Sequence, residues 1–389
     1  MSDIWREDIF DNLVRLKRGY DLPNQNIVEG GYPVVASSQI KAYHNNSKVE
    51  PPIVVTGRSG TLGKVQYIQE PCWPLNTTLY SKSFRDNCPK YVYYFLKQMN
   101  LENYNAGAGV PTLNQNHLQK IKIKIPSLVT QERIAAILSS YDDLIEANKK
   151  RIHVLEDMVE ELYKEWFVRF RFPNWESTKF MKGTPEGWEF RKLTEISDIT
   201  YGYAFDSSRF SNECVGKKIV RIRNIPESMS LDFTDEVVDD RYIIRNGDFL
   251  IGMDGIFHMN RWYDGESYLV QRTCRISAKS KVFQAYLRLA MKAPISFYQA
   301  TILGATVGHL GAKHLNEVVI ILPSEEYLPL LGRLNNIDEL ILEIELTNRN
   351  LEAQRDNLLP RLISGELSVA ELDIHYPPSM QANYEATDN

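Results

Sequence analysis

Arg58 stands in a short glycine-rich turn, Gly57-Arg58-Ser59-Gly60-Thr61, directly after the apolar run Ile53 to Val55. A turn of this kind lets the backbone approach a flat partner while one long side chain reaches past it; Ser59, Thr61 and Lys64 flank that side chain. Arg and Lys suit guanine edges, Asn and Gln suit adenine, and small hydroxyls or amides suit phosphates. Asn76, Thr77 and Asn105 add groups of the second and third kinds. Later in the chain the corresponding places hold Arg221, Arg223, Met253, Asp254, His258, Arg261, Gln271, Arg272 and His309. Arg221 and Arg223 alternate within the strand-like run Lys218 to Ile225, which predicts both side chains on one face. The plainer role for each of these residues is a solvated loop charge or a salt bridge to a nearby carboxylate.

Bond-making chemistry is harder to find. The chain has no Asn-Pro-Pro-aromatic or Asp-Pro-Pro-aromatic tetrad for amino-methylation, no clear G-x-G cofactor loop and no Walker A lysine motif. Gly57, Gly60 and Gly63 are spaced by threes, which fits tight turns rather than a cofactor cradle. His117 and His314 occupy equivalent points near helix or strand starts and read as structural caps rather than ligands. Cys72, Cys88, Cys214 and Cys274 form no metal-ligand spacing and read as reduced thiols of a cytoplasmic protein. The expectation is a binding protein with no catalytic residue, metal or cofactor of its own.

Composition permits that expectation once it is divided along the chain. The net charge of −5 would discourage nucleic-acid binding if it were spread evenly. Residues 1–128 instead carry 15 Lys and Arg against 10 Asp and Glu, and residues 173–325 balance at 19 against 19. The acidity is concentrated in residues 326–389, with 4 basic against 12 acidic side chains. Phosphate attraction is therefore expected at the first part and allowed at the second. The longest apolar runs, such as Val318 to Leu322, are too short to span a bilayer, and no signal peptide or membrane association is expected.

The elements that would position these groups occur twice. The segment Gly107 to Ser127 returns as Gly304 to Ser324 with nine of 21 positions identical, including Leu113/Leu310, His117/His314 and Pro126/Pro323. Gly19-Tyr20 matches Gly202-Tyr203, Ile53 to Gly60 matches Asp248 to Gly255, and Leu138 to Ile145 matches Leu334 to Ile341. A repeat this long is a whole domain with its helix. Each copy shows short apolar runs broken by Gly, Pro, Asn and Ser: Pro33 to Ile40, Lys64 to Gln69 and Ile121 to Pro126, then Lys218 to Ile225, Asp248 to Met253 and Glu317 to Pro323. Tyr91 to Met99 and Val282 to Met291 each predict one helix.

After each domain comes a long amphipathic stretch, Gln131 to Phe167 and Tyr327 to Ile363, with apolar residues at spacings of three, four and seven. A helix with one apolar stripe needs a partner, and chain order makes the two helices antiparallel if they pair. Asn148 interrupts the first stripe near its centre, either as a solvated amide or as a buried one that pins register. Trp166, Phe167, Phe170 and Phe172 interleave with Arg169 and Arg171, which suits a hydrophobic joint and, alternatively, stacking on nucleic acid. The fold class is α+β: two similar mixed α/β domains separated by two long helices forming an antiparallel coiled coil, with an internal pseudo-twofold repeat. The expected boundaries are domain one at 1–128, helix one at 129–172, domain two at 173–325, helix two at 326–367 and an acidic tail at 368–389.

The order and wording of these segments resemble the specificity subunit of type I restriction–modification systems. The resemblance rests on Ile125 to Ile145, Glu161 to Pro173, Pro185 to Ile196 and Leu358 to Leu367, with Gly57 to Val65, Pro71 to Tyr80 and Gly109 to Leu118. It covers nearly the whole chain up to about Asp373. It implies a non-catalytic subunit whose two target-recognition domains read an asymmetric bipartite sequence in double-stranded DNA. It also implies docking of two adenine-methyltransferase subunits, with restriction (motor-nuclease) subunits joining the larger complex. S-adenosylmethionine, ATP and Mg would then belong to those partners. One departure is visible: Gln131-Glu132-Arg133 of helix one becomes Tyr327-Leu328-Pro329 in helix two, where a matching docking surface would be altered. The competing readings are a stand-alone DNA-modifying enzyme and a coiled-coil adaptor that binds protein alone.

Overall fold

The computed structural model describes residues 5–107, 109–302 and 308–381. Gly304 to Val307 of the second repeat and the last eight residues of the acidic tail lie outside the described residues. The chain forms two compact units, residues 1–147 with 349–389 and residues 148–348.

In the first unit the apolar run Ile53–Gly57 is buried throughout, and it is a central strand as that pattern requires. It pairs antiparallel with Val65–Ile68 on one side and Thr78–Ser83 on the other, and Arg15–Arg18 completes a four-stranded sheet. Helix Pro89–Gln98 starts on proline, whose missing N–H costs nothing at a helix start, and it buries Tyr91, Val92, Tyr94, Phe95 and Leu96. A three-stranded sheet holds Ile40–His44, Tyr32–Val35 and Trp73–Pro74, the last pair parallel. Trp5–Ile9 pairs with Lys122–Pro126, so the two ends of the domain close on each other.

The second unit repeats this frame. Ser197–Tyr201, Thr273–Ala278, Phe249–Gly252 and Met259–Arg261 form a four-stranded sheet in the matching order. Glu189–Lys192 pairs with Val319–Leu322 as Trp5–Ile9 pairs with Lys122–Pro126. The matched glycines show why the repeat kept them. A side-chain carbon at Gly19 would lie 2.2 Å from the Leu75 carbonyl oxygen, and one at Gly202 would lie 2.0 Å from that of Val270. Tyr20 and Tyr203, the next residues, bridge in parallel to the same Leu75 and Val270.

Two expected strands are shorter than predicted. Pro33 to Ile40 breaks into Tyr32–Val35, a bend and the start of Ile40–His44, because Ser37 turns inward to donate to the Ser59 and Thr77 carbonyls. Lys218 to Ile225 yields only the strand Lys217–Val220, followed by a 3₁₀ turn at Ile222–Asn224 in which the Asn224 side chain accepts from Arg221 N. Arg221 and Arg223 therefore do not alternate along one strand.

The two long stretches are helices Leu128–Tyr163 and Leu328–Ser364. In the first unit Ile134, Ala135 and Leu138 pack with Leu359, Leu362 and Ile363. In the second, Ile152 and Val159 pack with Leu334, Ile341 and Ile344. Asp142 meets Arg355 in the first unit and Asn148 meets Asn348 in the second, so rising numbers in one helix face falling numbers in the other. The helices run antiparallel.

Helix one ends in a π-helical turn, Lys164–Val168. Its aromatics belong to a joint: Phe167 packs against both Trp188 and Tyr286, Phe172 stacks on Trp188, and Arg169 and Arg171 pair with Glu165. The joint reading holds, and stacking on nucleic acid has no exposed ring face here for Trp166, Phe167 or Phe172. Helix two stops at Gly365, whose φ of +78° favours glycine and whose Cα faces the Trp5 ring. Residues 368–381 of the acidic segment then pack on the first unit through Val369 and Met380, with Ser379 N donating to Asp143.

Gln131 and Arg133, expected on a docking surface, are internal clamps. Gln131 is buried, donates to Asn87 and the Pro126 carbonyl, and accepts from Cys88 N at the start of helix Pro89–Gln98. Arg133 donates to the carbonyls of Val369, Ala370 and Leu372.

Candidate nucleic-acid interface

Strand Ile53–Gly57 delivers the chain into the Arg58 turn at one end of the four-stranded sheet, and two other loops are stitched to it. Arg58 N and Ser59 N both donate to Thr77 O, Gly60 N donates to Pro111 O, and Leu113 N donates to Arg58 O. Ser59 and Thr112 form an isolated antiparallel bridge. Asn105 Oδ1 accepts from Gly107 N and Thr112 N, each at 2.9 Å, and so shapes the third loop from within. Arg58 Nε donates to Asn76 O at 3.1 Å, and its two terminal nitrogens have no partner among the described residues. Asn76 is itself bonded to Asp21. Arg58, Ser59, Asn76, Thr77 and Asn105 therefore converge, with Thr61 and Lys64 exposed on the same turn.

The second unit lays down three of these stitches. Met253 N donates to Arg272 O, Gly255 N to Gly308 O, and Leu310 N to Met253 O. Asp254 and His309 form the isolated bridge that matches Ser59 and Thr112. On this shared backbone the side chains differ completely. Where the first unit places the hydroxyls Ser59, Thr77 and Thr112, the second places Asp254, Arg272 and His309. His309 Nδ1 lies 2.5 Å from Asp254 Oδ1, and Arg272 Nε lies 3.5 Å from Asp254 Oδ2. Gln271 is exposed beside Arg272, and His258 is half-buried where its carbonyl accepts from Gly252 N.

Two candidates need correction, and two more are engaged in an ion pair. Met253 is 6% exposed and packs in the core of its unit, so it offers no surface group. Arg261 is 5% exposed; its Nη1 donates to Asp338 O at 2.6 Å and its Nε to Tyr263 OH at 3.0 Å. Arg221 and Arg223 reach one carboxylate, Asp232, at 2.5 and 2.9 Å; the Arg221 side chain is 30% exposed, and that of Arg223 stays 66% exposed with only Nη2 engaged. Thr112, by contrast, escaped the residue-type reading; its alignment with His309 was the available signal.

Burial works against ionising Asp232, but the hydrogen bonds from Arg221 and Arg223 outweigh it and hold the carboxyl below its ordinary value of 3.8. A depressed folded-state value adds stability above the ordinary value and loses it as pH falls through the folded one. Stability of this chain should therefore fall more steeply below about pH 4 than that of Asp232→Asn, which acid titration of unfolding would show; parallel curves would refute the pairing's contribution.

His314 caps helix Ala312–Glu317, accepting from Gly311 N at 3.0 Å, whereas the matching cap in the first unit comes from Asn114 rather than His117. Among the described residues no group of three His, Cys, Asp or Glu could hold a metal ion, and no helix is long and apolar enough to cross a membrane.

Comparison with known proteins adds a family. The model of the type I restriction modification DNA specificity domain matches residues 7–157 and again 185–347. The specificity subunit of type I restriction enzyme MjaIX from Methanocaldococcus jannaschii is 27% identical over 331 residues, covering 77% of this chain and 74% of the relative. That of MjaVIII from the same organism is 28% identical over 310 residues, covering 73% and 71%. The crystal structure of a type I restriction–modification system S subunit from M. genitalium covers 93% of this chain and 96% of its own with a TM-score of 0.62, at 16% identity, which speaks to the fold. With the domain matched twice, over two units whose strands and loop stitches repeat, the chain belongs to the type I restriction–modification specificity-subunit family.

Proposed function

We propose that this chain reads a bipartite, asymmetric sequence in double-stranded DNA, one half with each unit, and confers that choice on partner enzymes. The observation that carries the reading is the repeated loop scaffold: one set of backbone hydrogen bonds holds hydroxyls in one unit and an Asp-Arg-His set in the other. A conserved frame with exchanged side chains is what two readers of different short sequences require. The antiparallel helices act as the spacer, and two adenine-methyltransferase subunits dock on the chain, with restriction subunits joining them. S-adenosylmethionine, ATP and Mg are bound by those partners, and this chain performs no catalytic step.

Selection of bound duplexes from a randomised DNA pool, by the full chain alone and assembled with methyltransferase subunits, tests the reading. Two short conserved blocks separated by an unread gap are expected. Binding without sequence preference, or no binding in any mixture, would favour a protein adaptor; methylation by the chain alone would favour an enzyme. The spacer has its own test. Four residues added to helix one beside Asn148, and four to helix two beside Asn348, lengthen each by about 6 Å. The gap should widen by about one to two base pairs, at 3.4 Å each along the duplex, while both blocks stay the same. An unchanged gap would count against the helices as spacer.

A further inference from the structure

We propose that Arg272, held by Asp254, reads a guanine in the half-site of the second unit. The proposal rests on the DNA-reading function above and names the base and the residue that the second unit uses.

Arg272 sits at the tip between Ser267–Leu269 and Thr273–Ala278, with its backbone in the left-handed region at φ +69° and its side chain 56% exposed. A non-glycine residue in that region carries a local cost that surrounding structure must offset, and such residues concentrate at binding sites. Here the offset is visible: Met253 N donates to the Arg272 carbonyl, and Asp254 meets the Arg272 Nε.

The donor arithmetic at this cluster is uneven. His309 Nδ1, at 2.5 Å from Asp254 Oδ1, must carry a proton to make that contact. A protonated ring nitrogen has no lone pair left to accept, so the 3.4 Å approach of Arg272 Nη1 to the same Nδ1 is not a hydrogen bond. Arg272 Nη2 has no partner among the described residues. Asp254 thus meets the guanidinium at its Nε edge, and Nη1 and Nη2 are left without an acceptor on a side chain that is 56% exposed. Two parallel donors in one plane match O6 and N7 of guanine in the major groove, the commonest specific contact Arg makes.

The first unit shows the contrast. On the three shared backbone stitches it carries Thr77 in place of Arg272, with Ser59 and Thr112 in place of Asp254 and His309. Small hydroxyls accept or donate without choosing one base, and the first unit's own arginine fork, Arg58, projects from a different loop position, the one that Met253 fills in the second unit.

The test uses the full chain assembled with methyltransferase subunits and the selected DNA target. Arg272→Ala and Arg272→Lys should lose about 10- to 100-fold discrimination at a single G·C pair of one block, with every other position read as before. Replacing that guanine by 7-deazaguanine should weaken binding of the parent chain and leave Arg272→Ala insensitive. Asp254→Asn, a positioning change, should relax the same base pair by a smaller factor. Thermal unfolding of each variant, expected to match the parent, separates these effects from misfolding. A uniform loss of affinity across all sequences would make Arg272 a phosphate contact and overturn the proposal, as would relaxation at a pair without guanine. If the parent chain itself selects no sequence, the proposed function fails as well. If it selects two blocks and Arg272→Ala selects the same two, only the guanine assignment fails.

Discussion

Replacing Asp338 by alanine is expected to destabilise the second unit by about 3–5 kcal/mol, the range for removing one partner of a buried ion pair. Asp338 lies on helix two and receives two arginines from the domain. Arg261 donates to its carboxylate at 3.1 Å and to its carbonyl, and Arg288 donates to the other carboxylate oxygen. Arg261 is 5% exposed, so loss of the carboxylate leaves a guanidinium without its counter-charge and without water. Asp338→Asn keeps an acceptor and should lose about 1–3 kcal/mol, the cost of imperfectly satisfied buried groups. Denaturant unfolding followed by the buried Trp262 would measure both, and a variant within about 1 kcal/mol of the parent would show that the pair is solvated in solution. The consequence reaches the interface. Arg261 ends strand Met259–Arg261, which pairs with Phe249–Gly252, the strand that leads to Asp254. The ion pair therefore ties the strand that leads to the Asp254 loop to this unit's own part of helix two.

The same helix position serves the first unit. Asp142, the repeat partner of Asp338, accepts from Tyr94 OH at 2.6 Å and from Arg355 at 2.6 Å. Burial pushes the Tyr94 hydroxyl well above its usual range, and the neighbouring Asp142 charge pushes it in the same direction, so the phenol remains a donor.

How far these arrangements were legible follows from the range of the interactions that make them. The repeat was legible because its fixed points are steric: Gly19 and Gly202 face a carbonyl where no side chain fits, and the same phrase must recur. The antiparallel helices followed from stripe spacing and chain order. Met253 and Arg261 were misjudged because core packing past a strand end, and a carboxylate 77 residues away, decide where those side chains go. Arg221 and Arg223 failed as strand neighbours because Asn224 captures Arg221 N and starts a turn, a side-chain event that alternation cannot register. The Asp254–Arg272–His309 set was visible only as separate polar residues. Sliding the two repeats over each other places them on Ser59, Thr77 and Thr112, but the backbone bonds that make the match meaningful are long-range.

Asn148 and Asn348 should respond to mutation in opposite directions when changed singly and together. Asn148 Nδ2 donates to Asn348 Oδ1 at 2.8 Å, Asn348 is 3% exposed, and its own Nδ2 has no partner. Asn148→Leu strands both ends of a buried amide and should cost about 1–3 kcal/mol. Adding Asn348→Leu removes the stranded group and makes the seam continuously apolar, so the double variant should equal or exceed the parent in stability, by up to about 4 kcal/mol. A double-mutant cycle on thermal and denaturant unfolding measures the coupling, and additive effects would show that the amides do not act as a pair. Such a pair is expected to distinguish registers. Sliding either helix by one turn, about 5.4 Å, would bury each amide against aliphatic side chains, whereas two leucines tolerate the slide. In DNA selection the parent should therefore give one gap length and the Leu/Leu variant a mixture differing by one or two base pairs. A single unchanged gap in the more stable variant would mean that packing around the joint and the domain ion pairs, rather than the amides, sets the register.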